Sequence, residues 1–182
     1  IGAAGVVMDA RTGELLALSS LPSFDPHEPG RANDDARFNR ATLGTYEMGS
    51  VFKIFTTAYA LESGKVGLFD RYDVSKPLRK AGFTIRDYKP KDGKLTVPEI
   101  FMHSSNIGTA KMAMEVGTEV QQHVLRDLGL TRPVNLELPE VGTPMVPSPW
   151  REISTITVSY GHGLAVNAVQ LASAVAATVN GG

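Results

Sequence analysis

The segment Glu47-Met48-Gly49-Ser50-Val51-Phe52-Lys53-Ile54-Phe55 stands where a polar, loop-like region gives way to an apolar run with helical periodicity. It contains an S-x-x-K motif, formed by Ser50 and Lys53, at the predicted start of a helix. Residues three apart on a helix project from one face, so the Lys53 side chain can reach the Ser50 hydroxyl. A lysine among apolar side chains is more easily neutral and can take the proton of a serine. The pair is therefore a candidate acylating nucleophile with its base.

Both polar motifs of the chain also have a purely structural explanation. Serine is a favoured N-cap residue, so Ser50 at the start of the apolar run is equally explained as a helix cap. A second motif, Ser104-Ser105-Asn106, falls between two predicted helices, where serine and asparagine are again common caps. Spacing alone leaves the choice between catalysis and capping open.

Composition indicates one globular domain. The chain has 182 residues, 42% of them hydrophobic and 20% charged, which is enough to enclose a single core. The formal net charge is -1 with both signs mixed along the chain, so nothing favours a nucleic-acid partner or an anionic membrane. The absence of cysteine excludes disulfides, thiolate metal sites and a cysteine nucleophile, and it fits either a reducing or an oxidising compartment.

The first third of the chain predicts a hairpin, a loop and a helix. Two short apolar runs, 5–9 and 14–19, flank a turn with Gly13 at its left-handed position, which is typical of a β-hairpin. Residues 21–44 are rich in Pro, Asp, Asn and Gly, so they indicate a long loop. The helix that carries Ser50 should run to about Glu62 and end before a glycine.

The remaining chain predicts four more helices. Capping patterns are Thr96-x-x-Glu99, Thr118-x-x-Gln121 and Asn167-x-x-Gln170. The first indicates a helix through His103, the second a helix to about Leu128, and the third a helix through Val179. Another helix is expected over 107–116. Residues 133–149 contain five prolines and should be extended. The apolar stretch 164–179 is shorter than a membrane span and is interpreted as a buried helix.

Six segments of the chain together carry a family resemblance. They are residues 9–17, 46–53, 104–108, 160–163, 170–172 and 180–182. In this order they resemble the transpeptidase domain of class B penicillin-binding proteins, and the resemblance covers nearly the whole chain. Residues 86–88, 97–102 and 161–166 most resemble the division-specific branch, which crosslinks septal peptidoglycan.

The resemblance implies a fold and a mechanism. The fold would be α+β, of the penicillin-binding and serine β-lactamase-like class, with a helical subdomain against an antiparallel sheet. Ser50 would attack the D-Ala-D-Ala carbonyl of a stem peptide, and Lys53 would take its proton. Ser104 would relay a proton to the leaving amine, and Asn106 would hold Lys53 and the substrate amide. The backbone N–H of Ser50 would supply half of an oxyanion hole. No cofactor or metal is implied.

Some features depart from the family pattern. Met48 stands where proline is common and Val51 where threonine is common, and neither change removes a catalytic group. No lysine is followed by Thr-Gly or Ser-Gly, so the third family motif, K-[ST]-G, is absent. We therefore expect residues 1–182 to be a partial transpeptidase domain that keeps only the first hairpin of the sheet, begins inside a longer polypeptide and is weakly active or inactive by itself.

Other side chains offer weaker candidates. His27, His103, His123 and His162 lack metal-ligand spacing. His162 is better explained by a glycine-flanked turn than by catalysis, and Glu47 by a surface or capping role than by that of a base. Met102, Met112 and Met114 are interpreted as core residues.

Two other functions stay open on the sequence. One is a β-lactamase or β-lactam-sensing domain, which keeps the acylation and changes its outcome. The other is a non-catalytic scaffold. The resemblance favours the transpeptidase, with stem peptides, β-lactam antibiotics and other division or cell-wall synthesis proteins as partners. It would lie on the periplasmic side of the bacterial inner membrane, with its membrane anchor outside this chain.

Overall fold

Two units of the chain are distinguished in the computed structural model, which describes residues 2–182. The hairpin unit consists of the described residues up to Tyr46 together with Arg126–Val146 and Ala165–Gly182. The helical unit consists of Glu47–Leu125 and Pro147–Leu164. Every candidate catalytic residue falls in the helical unit, so that unit determines the geometry of the site.

Helices and strands alternate irregularly along the chain, as in an α+β fold. In chain order they are β1 (Ala3–Met8), β2 (Leu15–Leu21), α1 (Asp34–Arg37), β3 (Tyr46–Glu47), α2 (Lys53–Glu62), β4 (Arg71–Asp73), β5 (Leu78–Lys80), β6 (Phe83–Ile85), β7 (Lys94–Thr96), α3 (Val97–His103), α4 (Asn106–Val116), α5 (Thr118–Asp127), α6 (Glu152–Ser159), β8 (Ala165–Val166) and α7 (Ala168–Asn180). Single turns of 3₁₀ helix precede α1 and α2, at Pro29–Arg31 and Gly49–Phe52.

The hairpin unit confirms the first predicted element. β1 and β2 pair antiparallel, with Ala3 opposite Leu21 and Val7 opposite Ala17. Gly13 in the connecting turn has φ 75°, the left-handed conformation that glycine adopts without strain. α7 packs on β1 and begins with the predicted capping box, in which Asn167 Oδ1 accepts from the Gln170 N–H at 2.8 Å.

The helical unit has an apolar core beneath the site. Helices α2, α3 and α4 each contribute a large side chain that is almost completely buried, namely Tyr59, Ile100 and Met112. α3 and α4 approach closely because Gly108 has no side chain: a Cβ there would lie 2.5 Å from Ile100 Cγ1. The core therefore fixes the short connection between α3 and α4 in front of α2.

The structure contains elements that were not predicted from the sequence. β4 pairs with β7 and β5 pairs with β6, both antiparallel, in ladders of three residues per strand. α6 lies over Glu152–Ser159, in a part of the chain where no helix was predicted. Three-residue strands are too short for a visible alternation of apolar and polar residues.

Some local predictions were wrong. Thr118 does not cap α5, because it is the first residue of that helix and its hydroxyl lies 2.7 Å from Thr155 Oγ1. The stretch 164–179 is not one buried helix: β8 precedes α7, and Val179 is largely exposed. Met112 belongs to the core, but Met102 is 68% exposed because it lies on the outer face of α3. The prediction for residues 21–44 was right apart from the 3₁₀ turn and the short α1.

Candidate active site

The Lys53 amine is the centre of a compact group of polar atoms. Its Nζ lies 3.0 Å from Ser50 Oγ and 2.7 Å from Asn106 Oδ1. It also lies 2.8 Å from both the backbone oxygen and the hydroxyl of Ser104. The structure thus brings together all four side chains that the sequence singled out. Their catalytic roles stay a prediction, which the geometry makes specific.

Local backbone geometry explains the contact between Ser50 and Lys53. Both residues lie at the junction of the 3₁₀ turn Gly49–Phe52 with α2. In a 3₁₀ helix three residues make one turn, so positions i and i+3 are stacked directly above each other. Ser50 makes no capping hydrogen bond, and the N-cap position before the turn is Met48. The alternative interpretation of Ser50 as a helix cap is therefore not supported.

The four polar contacts of Lys53 limit what its amine can do. The Ser104 carbonyl and Asn106 Oδ1 carry no hydrogen, so each must accept a proton from Nζ. The remaining position on nitrogen faces the two hydroxyls of Ser50 and Ser104. In the ammonium form it is an N–H that donates to a hydroxyl, and in the amine form it is a lone pair that accepts from one. The arrangement therefore points the basic electron pair at the serines.

Burial favours the neutral form of this amine. Lys53 is 2% exposed, and desolvation lowers its pKa to about 8, while the Asp87 carboxylate acts in the opposite direction. A pKa near 8 gives an appreciable fraction of free base at neutral pH, which an ordinary lysine does not have. Lys53 is thus a credible proton acceptor for a hydroxyl 3.0 Å away.

Ser104 and Asn106 are held by the joint between two helices. Ser104 ends α3 with φ 55° and ψ 44°, a left-handed conformation that breaks the helix and turns its hydroxyl toward Lys53. Ser105 caps α4, since its Oγ accepts from the Gly108 N–H at 3.0 Å. Asn106 then opens α4, and its Nδ2 donates to the Arg86 carbonyl at 3.1 Å. The predicted cap and the predicted site residues therefore occupy the same tripeptide.

A second connection holds the segment that precedes Ser50. The Gly49 N–H donates to the Gly161 carbonyl at 3.1 Å. Glu47 accepts from the Gly163 N–H at 2.7 Å and lies 3.1 Å from His162 Nδ1. These two hydrogen bonds lower the pKa of Glu47, so the carboxylate is charged. Glu47 and His162 thus hold the segment before Ser50 against the glycine-flanked turn 161–163. This is a structural role, as the sequence analysis favoured for both residues.

Asp87 is a residue of the site that sequence reasoning missed. Its carboxylate contacts Ser105 and the backbone of Ile107, one residue to either side of Asn106. The segment 86–88 was noticed for its family resemblance only. An aspartate in a turn-rich stretch gives no sign of a partner 18 residues further along.

Two general features complete the description of residues 2–182. Over this range no group of three or more His, Cys, Asp or Glu side chains is arranged to hold a metal ion. None of the helices in the same range has the length and apolar character needed to cross a membrane.

Comparisons with known proteins give one consistent result. The family described as "Penicillin binding protein transpeptidase domain" matches residues 3–182. A "Probable peptidoglycan D,D-transpeptidase FtsI" of Caulobacter vibrioides is 40% identical over 181 residues, which are 100% of this chain and 31% of that protein. A "Probable peptidoglycan D,D-transpeptidase PenA" of Neisseria gonorrhoeae is 36% identical over 97% of this chain and 30% of its own length. The chain thus spans about a third of these curated relatives.

Solved structures agree with the fold. The transpeptidase domain of penicillin-binding protein 3 from Burkholderia pseudomallei matches with a TM-score of 0.83 and 32% identity, over 98% of this chain and 50% of that one. Penicillin-binding protein 3 of Mycobacterium tuberculosis, solved with aztreonam, matches with a TM-score of 0.89 and 30% identity, over 98% of this chain and 41% of that one. The α+β fold and the resemblance seen in the sequence are confirmed. The chain belongs to the penicillin-binding protein transpeptidase family.

Proposed function

We propose that the full-length protein is a serine D,D-transpeptidase that crosslinks peptidoglycan stem peptides. The observation that carries the proposal is the buried Lys53 amine, 3.0 Å from the Ser50 hydroxyl and directed by two obligate acceptors. Relatives named as peptidoglycan D,D-transpeptidases support the substrate class. Neither a β-lactamase nor a scaffold is favoured by these relatives.

Acylation begins with proton transfer inside the S-x-x-K pair. Neutral Lys53 Nζ takes the proton of Ser50, whose Oγ attacks the carbonyl carbon between the two terminal D-alanines. The carbonyl oxygen becomes an oxyanion, and the Ser50 backbone N–H at the start of the helix donates to it. Collapse breaks the C–N bond and leaves an ester on Ser50.

The leaving amine needs a proton, and Ser104 is placed to deliver it. Its hydroxyl lies 2.8 Å from Lys53 Nζ, so a proton on the ammonium can pass through the hydroxyl to the D-alanine nitrogen. An amine of a neighbouring stem then attacks the ester and loses a proton along the same path in reverse. Ser50 leaves as the alkoxide, takes that proton from Lys53 and regains its hydroxyl.

Asn106 has a double task in this scheme. Its Oδ1 accepts from Lys53 and its Nδ2 donates one proton to the Arg86 carbonyl. The amide has a second N–H, and we assign it to the substrate backbone carbonyl. Asn106 thereby aligns the base and the acyl donor through one rigid group.

The setting of the reaction follows from its substrate. Peptidoglycan stems lie outside the cytoplasmic membrane, so the domain works on the periplasmic side of the inner membrane, with its anchor elsewhere in the protein. The similarity to FtsI favours a role in septal synthesis during division, together with other division or cell-wall proteins. β-Lactams, which mimic D-Ala-D-Ala, would acylate Ser50, as aztreonam in the structure of a relative suggests.

The nucleophile is tested by intact-protein mass after incubation of the full-length protein with penicillin. We expect one adduct in the unchanged protein and none in Ser50→Ala. Ser63→Ala at the opposite end of α2 is the matched control, since its hydroxyl donates to the Ala60 carbonyl, and it should keep the adduct.

The other outcomes each point to a different function. An adduct that persists in Ser50→Ala would mean that the nucleophile lies elsewhere. Rapid return of the unmodified mass would indicate a β-lactamase. A folded, unchanged protein without any adduct would indicate a non-catalytic module.

A further inference from the structure

We infer that Asp87 is a positioning residue that holds the Ser104–Asn106 connection against Lys53. The inference rests on the proposed transpeptidase function and adds to it a group that touches no substrate. Asp87 follows β6 and reaches the joint between α3 and α4 from outside both helices. It gives this joint hydrogen bonds that neither helix provides by itself.

The contacts of Asp87 flank Asn106 on both sides. Its Oδ2 accepts from the Ser105 hydroxyl at 2.7 Å, and its Oδ1 accepts from the Ile107 N–H at 2.9 Å. Both carboxylate oxygens are thereby used, one on each neighbour of Asn106. A carboxylate that bonds residues i−1 and i+1 fixes the position of residue i without touching it, and hydrogen bonds to a charged acceptor are strong.

The preceding residue completes this clamp. The Arg86 carbonyl accepts from Asn106 Nδ2 at 3.1 Å. Ile85 and Ile107 are both buried in the core, so the chain on either side of the contact is anchored by packing. Two consecutive residues after β6 therefore bind three consecutive residues at the start of α4.

The joint needs such support because of its backbone. Ser104 has φ 55°, which is unfavourable for a residue with a Cβ and persists only where the surroundings hold it. The same residue places both its carbonyl and its hydroxyl 2.8 Å from Lys53. If the residues that follow Ser104 were released, these two contacts would be lost together.

The charge of Asp87 has a second effect on the same amine. α3, α4 and α6 pack against the helix of Lys53. The side chains that contact Nζ are neutral: Ser50 from the turn before α2, and Ser104 and Asn106 from the joint between α3 and α4. Asp87 is the charged group that acts on the amine, and its field raises the pKa of Lys53 against the larger effect of desolvation. Removing the charge should therefore lower that pKa, which a purely structural role would not do.

The test compares Asp87→Asn, Asp87→Ala and a control in the full-length protein. Asparagine keeps an oxygen for the Ile107 N–H and removes the charge, whereas alanine removes both. The control is Asp73→Asn, because Asp73 also accepts two hydrogen bonds, from Ser75 N and Oγ, within the same unit. The measurement is the second-order rate of acylation by a fluorescent penicillin on both sides of pH 8, the approximate pKa of Lys53.

We expect Asp87→Ala to acylate about 100-fold more slowly, the usual scale for a misplaced catalytic group. In Asp87→Asn the pH midpoint of acylation should move below its value in the unchanged protein, and in Asp73→Asn it should stay. Acylation by both Asp87 variants with the rate and midpoint of the unchanged protein would overturn the inference. If Asp87→Ala does not fold, an unchanged rate together with an unshifted midpoint in Asp87→Asn overturns the inference.

Failure of the proposed function gives a different result. In that case the unchanged protein forms no adduct, and none of the variants forms one either. A labelled unchanged protein with normally labelled Asp87 variants refutes the positioning role and leaves the transpeptidase proposal intact.

Discussion

The behaviour of the site follows from one nitrogen atom. Lys53 Nζ has four oxygen neighbours within 3.0 Å, but an ammonium has three protons. Two of these oxygens can only accept, so the two hydroxyls compete for the last position. In the neutral amine this last position is a lone pair, which accepts a proton from one of the two hydroxyls. Burial, which lowers the pKa of Lys53 to about 8, raises the fraction of the neutral amine, and the hydrogen-bond geometry points its lone pair at the hydroxyls.

The pH dependence of acylation follows from this state. The reactive form is the neutral amine, whose fraction rises as pH increases through the pKa of Lys53, about 8. The acylation rate should therefore climb with pH through this range and then level off. Stopped-flow acylation with a chromogenic β-lactam measures the profile. A rate that stays flat or falls between neutral pH and the alkaline side of pH 8 would contradict Lys53 as the base.

Lys53→Arg tests the same base by chemistry. A guanidinium stays protonated at every accessible pH, so it keeps the charge and loses the proton-accepting function. We expect acylation to fall by about 100- to 10,000-fold, the usual contribution of general acid–base catalysis. Lys65→Arg is the control, because Lys65 is a surface residue of the same unit whose Nζ donates to the Val116 carbonyl. Acylation within a few-fold of normal in Lys53→Arg would refute the assignment.

The 3₁₀ turn that carries Ser50 is positioned by a second turn far away in sequence. The chain before Ser50 lies against the turn 161–163, where Gly161 has φ 86° and its carbonyl accepts from Gly49. A Cβ at position 161 would lie 1.9 Å from the Gly49 carbonyl oxygen. The turn and the 3₁₀ helix therefore fit together only with glycine at this position.

Gly161→Ala tests this fit, with Gly64→Ala as the control. Both glycines have positive φ, so both substitutions introduce backbone strain, but nothing lies within 4 Å of a Cβ at position 64. Gly161→Ala should lower the acylation rate and the thermal midpoint, because the Gly49 backbone must move away. Gly64→Ala should cost only the strain, about 1 kcal/mol, and keep the acylation rate. Equal effects of both on acylation would show that the close approach does not position Ser50.

Sequence predicted the elements that carry local signals. The hairpin, α2, α3, α4 and α7 were each marked by a glycine turn or a capping pattern, and such signals act within a few residues. Strands β4 to β7 and helix α6 have no such local signals. These elements are defined by contacts between residues distant in sequence, which no local pattern indicates. At Thr118 a local signal was misleading: the segment has the sequence of a capping box, but the Thr118 hydroxyl contacts Thr155 instead of capping the helix.

The site is held within the helical unit by residues that are distant in sequence. The spacing of Ser50 and Lys53 suggested a nucleophile with its base, and the family resemblance singled out these two residues together with Ser104 and Asn106. The close approach of these four side chains could not be predicted from the sequence, because it depends on the core packing of α2, α3 and α4 and on Asp87. Below the site, the helical unit is also stabilised by buried polar side chains that form hydrogen bonds between helices.

Gln121 is the clearest example of such a side chain. It is fully buried, and its Nε2 donates to Tyr59 Oη at 3.0 Å and to the Thr155 carbonyl at 3.1 Å. One side chain of α5 thereby links α2 and α6. In the part of the chain that the structure describes, its Oε1 has no partner, which offsets some of the gain. Gln121→Ala should therefore lower the free energy of unfolding by about 1–3 kcal/mol, from the unsatisfied groups that remain. Urea unfolding followed by circular dichroism measures the change, with Gln122→Ala on the same helix as the control. An equal change in the two variants would mean that the buried hydrogen bonds of Gln121 do not stabilise the helical unit, because alanine is the better helix former at both positions.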